Sequence, residues 1–137
     1  MSLPKLRRRP PIHMIDSEAD ALTHLAVGIE KRMPQVSALL IEEISRATIH
    51  KASRIPRDVI TMTSEVDFVD EANGAKRTVR LVYPQDADIA AGRISILTPI
   101  GAGLIGLRAG QSIRWPDRDG RERILSVVAV VQPARAA

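Results

Sequence analysis

Apolar residues at helical spacing in residues 17–47, strand-like alternation after Arg54, and turn residues punctuating short β-branched runs predict an α+β protein. The expected architecture is a short N-terminal antiparallel helical hairpin followed by an antiparallel sheet with one short helix. With 137 residues, a chain of this size buries roughly two-thirds of the surface it exposes when unfolded. It needs no covalent staples. The lack of cysteine rules out disulfides, thiolate-bound zinc and thiol nucleophiles.

Each element has its own signal. Residues 1–14 hold Lys5, Arg7, Arg8 and Arg9, no acid and three prolines, and are expected to form a basic disordered tail. Ser17 with Asp20 three positions on resembles a capping box. Leu22, Leu25, Ala26 and Ile29 then make one apolar stripe, which predicts a helix over residues 17–31. Pro34 removes a backbone donor and interrupts it. A second stripe of Val36, Leu39, Leu40, Ile44 and Ala47 predicts the returning helix, so residues 15–53 read as the hairpin.

Residues 54–133 read as the sheet region. Residues 59–83 predict a β-hairpin about Asn73-Gly74, a two-residue turn signal. Residues 84–92 are a polar connection to a short strand at 93–97. Thr98 before Pro99 places a capping hydroxyl ahead of a first-turn proline, starting a helix that reaches about Gly106. Residues 112–115 and 121–131 then pair around the turn Asp117-Arg118-Asp119-Gly120.

The net charge of +4 suggests a nucleic-acid binder until the charges are located. All the excess lies in residues 1–14, and the other sixteen basic residues are balanced by sixteen acids. A charge-balanced body suits a protein partner, leaving only weak, salt-sensitive nucleic-acid contact to the basic tail. Phe68, Tyr83 and Trp115 are too dispersed for a base-stacking platform. No apolar run reaches the ~18 residues of a membrane span. Prolines among arginines exclude a signal-peptide core at the start, and the chain reads as cytoplasmic.

Catalytic signals are weak. Gly101-Ala102-Gly103-Leu104-Ile105-Gly106 satisfies G-x-G-x-x-G, with Glu122 in place of a ribose-binding acid, but Gly106 and Gly110 close the helix too soon for a dinucleotide fold. The glycines read instead as close packing of a short helix on a sheet. His13, His24 and His50 are scattered and lack metal-ligand spacing. The acidic pairs Glu42/Glu43, Asp70/Glu71, Asp86/Asp88 and Asp117/Asp119 read as solvated surface. There is no nucleophile elbow and no phosphate loop. The expectation is a non-enzyme with no cofactor and no metal.

The run Ile96-Leu97-Thr98-Pro99-Ile100-Gly101-Ala102-Gly103-Leu104-Ile105-Gly106-Leu107-Arg108-Ala109-Gly110-Gln111 resembles the signature of the carboxyl-terminal domain of Gre-type transcription factors. Pro56-Arg57-Asp58-Val59-Ile60-Thr61-Met62-Thr63-Ser64 and Leu81-Val82-Tyr83-Pro84 resemble one branch of that superfamily, the regulators of nucleoside diphosphate kinase. Met33-Pro34 before Leu39-Leu40-Ile41-Glu42-Glu43-Ile44-Ser45-Arg46-Ala47 agrees with the same branch.

The resemblance implies a short coiled coil over residues 15–53 and an FKBP-like domain over 54–133, docking on RNA polymerase beside its secondary channel. In cleavage-stimulating Gre factors, acids at the hairpin tip hold a catalytic magnesium ion, which needs oxygen ligands. Here residues 27–36 contain only Glu30, beside Lys31 and Arg32. A helix of ~15 residues rises only ~22 Å. Binding without transcript cleavage, in competition with Gre factors, is therefore expected. Glu30, Lys31 and Arg32 are the hairpin-tip candidates. Thr98, Pro99 and Ile100 are the polymerase-contact candidates, because Thr98-Pro99 matches a Ser-Pro step that contributes to contact in Gre factors, although Leu97 replaces the acid before it.

The alternatives are a Gre-like transcript cleavage and elongation factor, and an FKBP-like prolyl isomerase or chaperone, which needs an aromatic-lined pocket. Nothing resembles a histidine kinase site, so any effect on nucleoside diphosphate kinase would act through expression. Oligomeric state stays open.

Overall fold

The computed structural model describes residues 9–117 and 119–134. Strand β1 (His13–Ile15) leads directly into helix α1 (Asp16–Gly28); after a short link α2 (Pro34–Arg46) returns to β2 (Thr48–His50). The sheet region holds β3 (Glu65–Asp70), β4 (Ala75–Val82), β5 (Arg93–Ser95), helix α3 (Pro99–Leu104), β6 (Ser112–Pro116) and β7 (Glu122–Val131). Among the described residues no helix is long and apolar enough to cross a membrane.

The expected stripes become the buried faces. Leu22 and Ala26 of α1 and Val36, Leu39 and Leu40 of α2 are buried, with Ile29 buried in the link. The two helices pack on one another, and the Ser37 hydroxyl donates to the Ala26 carbonyl at 2.7 Å. The expected capping box does not form. Ile15, the last residue of β1, precedes the helix without a side-chain cap, and Asp16 and Glu18 supply negative charge to the first turn instead.

The five-stranded sheet has the order β5-β4-β3-β7-β6. Three of its pairings are antiparallel, but β4 and β5 run parallel, which corrects the expectation of a wholly antiparallel sheet. The connection through residues 83–92 contains two 3-10 turns and returns the chain in its starting direction. The first hairpin is also shorter than expected. Residues 59–64 are a loop in which Thr61 and Ser64 bond each other and Thr63 adopts φ 64°, so the strand starts at Glu65. Its turn is a four-residue loop rather than Asn-Gly alone. Asp70 pairs with Ala75, Asn73 and Gly74 both donate to the Asp70 carbonyl, and only Gly74 takes positive φ.

Residues 9–14 are not the loose tail expected of residues 1–14; the first eight residues of that segment lie outside the described residues. Ile12 and Met14 are buried while β1 pairs in parallel with β2 in the register His13↔Thr48 and Ile15↔His50. The physical reason is alternation: side chains 12 and 14 reach the core while the backbone between them is hydrogen bonded. Parallel strands need a long crossover, and α1 with α2 supplies it.

The hydrophobic core runs across the boundary expected at residue 54. Leu22, Ala26 and Leu40 from the helices share one buried cluster with Phe68, Leu81, Trp115 and Leu125 of the sheet and Leu104 of α3. The N-terminal segment straps the two parts together. His13 donates its backbone N–H to the Gly106 carbonyl at 3.1 Å, and Thr48 donates to the Ile12 carbonyl at 2.9 Å. Gly106 has φ 84°, and a β-carbon there would meet Ile12 and the His13 carbonyl at 3.0 Å. Backbone conformation and close approach both call for glycine at that crossing.

Candidate functional site

Two surfaces answer to the sequence reading. The first is the α1–α2 link. Glu30, Lys31 and Arg32 are exposed there over the buried Ile29, whose carbonyl accepts from Arg32 and Met33. Among the described residues no ion pair involves any of the three. Gln35, one turn on, reaches the Asp117 carbonyl at 3.2 Å, which brings the start of α2 beside the β6–β7 turn.

The second is the start of α3. The Thr98 hydroxyl accepts from the Gly101 N–H at 3.0 Å and donates to the Ser95 carbonyl at 2.8 Å, so it caps the helix as expected. Pro99 occupies the first helical turn and is buried, and its carbonyl accepts from the Trp115 indole. Ile100 is partly exposed beside them. The G-x-G-x-x-G glycines pack rather than bind: a β-carbon on Gly101 would strike the Ser95 carbonyl, and one on Gly103 would lie 2.9 Å from the Trp115 ring. α3 is six residues long, too short for a dinucleotide crossover.

The acidic pairs divide. Glu42 stays exposed, but Glu43 is fully buried, which corrects its reading as solvated surface. Its carboxylate accepts two bonds from Arg46, at 2.8 and 2.6 Å, and one from Arg9 at 3.2 Å. Arg46 also donates to the Pro10 carbonyl, while the Arg9 guanidinium stacks 4.8 Å from the Trp115 ring centroid. Asp70 is likewise buried and bonds Arg123, which bridges to Asp117. The Arg123 hydrogen bond, together with the N–H groups of Arg121 and Asp119, holds the Asp117 carboxyl below its ordinary range.

Two of the three scattered histidines meet. His13 Nδ1 lies 2.9 Å from His50 Nε2, and the Asp58–Arg108 ion pair stands nearby. Burial, His50 and Arg108 lower the His13 pKa, against a smaller opposing effect of Asp58. His24 joins neither, and no group of three or more metal-capable side chains occurs among the described residues. The parallel β1–β2 pairing creates this contact, and nothing in the local spacing announced it.

An open cleft of about 470 Å³ lies between β4 and the connection to β5, lined by Val82, Gln85, Asp86, Ala87, Asp88 and Arg93. It has no aromatic lining, so it lacks the feature that an isomerase reading requires.

Comparison with known proteins agrees with this geometry. Residues 55–132 match the family model described as "Transcription elongation factor, GreA/GreB, C-term". The solved "Prokaryotic transcription elongation factor GreA/GreB from Nitrosomonas europaea" superposes with a TM-score of 0.70 at 32% identity, covering 88% of this chain and 99% of that one. The fold is that of a Gre-type factor. GreA of Azorhizobium caulinodans is 33% identical over 72% of this chain but only 62% of its own length. The "Regulator of nucleoside diphosphate kinase" of Escherichia coli (strain K12), by contrast, is 32% identical over 94% of this chain and 95% of its own. The chain belongs to the regulator of nucleoside diphosphate kinase family within the Gre superfamily.

Proposed function

We propose that this protein docks on RNA polymerase at the rim of the secondary channel and competes there with Gre factors without stimulating transcript cleavage. Family membership supports the partner, and the link between α1 and α2 carries the rest. In this reading α1 and α2 are a short coiled-coil hairpin, and the sheet with α3 is an FKBP-like docking domain. A magnesium ion held for cleavage needs several anionic oxygens. The link offers one carboxylate, Glu30, between Ile29 and two cations. Each helix has 13 residues and rises about 20 Å, a short reach for a deep channel.

Thr98 and Ile100 of the Thr98-Pro99-Ile100 step are proposed to face polymerase, with partly exposed Ile100 supplying the apolar contact and buried Pro99 fixing the helix start behind them. Lys5, Arg7 and Arg8 add salt-sensitive attraction to nearby nucleic acid, whereas Arg9 is already engaged by Glu43 and Trp115. The test is a pull-down with core RNA polymerase, challenged by a Gre factor, alongside a cleavage assay on stalled complexes. Retention that the Gre factor displaces, with no added cleavage, is expected. No retention overturns the docking, and vigorous cleavage overturns the account of the tip.

A further inference from the structure

The N-terminal strap ties the helices to the sheet, and where β1 lies on β2 it brings two imidazole rings into contact. His13 and His50 face each other across the ribbon with ring nitrogens 2.9 Å apart and ring centroids 5.1 Å apart. A bond at that distance needs one ring to donate and the other to accept. The neutral pair satisfies this, and so does the pair carrying one extra proton. Two protonated rings cannot, because both nitrogens then donate and two like charges stand in contact.

The other charged groups facing His13 are Arg108 and Asp58. Asp58 does not neutralise a second proton freely, because its carboxylate is held by Arg108 at 2.9–3.1 Å. Outside the ring contact, β1 is held by its backbone pairing with β2, by the His13 bond to Gly106 and by buried Met14 and Ile15. The strap before it is held by buried Ile12, by the Thr48 bond to the Ile12 carbonyl, by Arg9 on Glu43, by Arg46 on the Pro10 carbonyl and by Gln111 on the Pro11 carbonyl.

We propose that His13 and His50 form a proton-operated latch: neutral or singly protonated, they hold β1 on β2, and doubly protonated they release the strap and loosen the helices from the sheet. The direction follows from linkage. The docked state disfavours the charged form of His13, so the hold is complete above the ordinary imidazole value of 6.5 and weakens as pH falls below it. The released strap takes up a proton that the docked strap excludes.

Trp115 reports on this directly, because it is the only tryptophan and Arg9 of the strap covers its ring. The experiment follows hydrogen exchange of the His13 and Thr48 amides, corrected for intrinsic rates, and Trp115 emission in the full chain from pH 8 to 5. Opening should rise by up to about tenfold per pH unit below 6.5, the limit for one linked proton, and the emission should shift with it. His50→Gln keeps a hydrogen-bonding side chain that does not titrate and should flatten both profiles. His24→Gln, at an exposed α1 position, should leave them unchanged. Equal profiles for the parent and His50→Gln overturn the latch, as does a parent with no pH dependence. If His50→Gln does not fold, the ring-proton titrations of the parent decide by NMR: two separated, coupled steps support the latch, and two independent titrations at the ordinary value overturn it.

Discussion

Gly103 of α3 lies against the indole of Trp115 so closely that a β-carbon at position 103 would stand 2.9 Å from three ring atoms. The ring has no room to retreat, since it is 1% exposed, donates to the Pro99 carbonyl and lies beneath the Arg9 guanidinium. Overpacking of this kind costs about 1–3 kcal/mol. Gly103→Ala should lower stability by that amount in urea denaturation. Gly28→Ala, with nothing within 4 Å of the new carbon, should be neutral or slightly stabilising.

Glu43 predicts a contrast with its neighbour. Removing one partner of a buried ion pair costs about 3–5 kcal/mol, but Arg9 and Arg46 are each about a quarter exposed and recover some hydration. Glu43→Ala should therefore lose about 2–4 kcal/mol in chemical denaturation. Glu42→Ala, at a side chain 62% exposed, should stay within about 0.5 kcal/mol. Loss of the Arg9 anchor in Glu43→Ala should also perturb Trp115 emission.

At the α3 start, capping and partner contact separate by substitution. Thr98→Ala deletes the hydroxyl that accepts from Gly101 and should cost about 1 kcal/mol, with Thr98→Ser restoring most of it. Ile100→Asp, at a partly exposed position, should leave the melting temperature nearly unchanged yet weaken retention on core RNA polymerase. A mutant that binds polymerase as well as the parent would remove Ile100 from the docking surface.

Asp117 sets part of the acid limb. Its carboxyl is held low chiefly by the Arg123 side chain, then by N–H groups of the turn. A carboxyl with a depressed pKa stabilises the fold above its unfolded value of 3.8, and that contribution is lost as pH falls below it. Asp117→Asn should therefore flatten the fall in stability below about pH 4 when melting is followed against pH. The neutral amide also weakens the tie between Asp70, Arg123 and the β6–β7 turn, where Gln35 of α2 rests.

Local signals account for most of what was legible. The stripes Leu22/Ala26 and Val36/Leu39/Leu40 were readable because helical spacing alone brings such residues to one face. The Thr98 cap was readable because donor and acceptor lie three residues apart. The capping box at Ser17 failed because β1 runs straight into α1, and a strand of three residues leaves almost no pattern. The parallel β4–β5 edge was missed for a related reason, since strand direction depends on the route of residues 83–92. At the candidate site, the composition of the α1–α2 link and the α3 start were both readable, while the burial of Glu43 was not.

The order of the main elements, the segregation of net charge into residues 1–14 and the family were determined by the sequence itself, because each rests on neighbours in the chain or on motifs of fixed spacing. Tertiary structure alone decided that residues 9–15 strap the helices to the sheet, that Glu43 is buried between two arginines, and that His13 meets His50 across 37 positions. Contacts so far apart in sequence have no periodicity to betray them. They appear only when burial of Ile12, Met14 and Trp115 brings the segments together, and the polar groups carried along with them must then find partners.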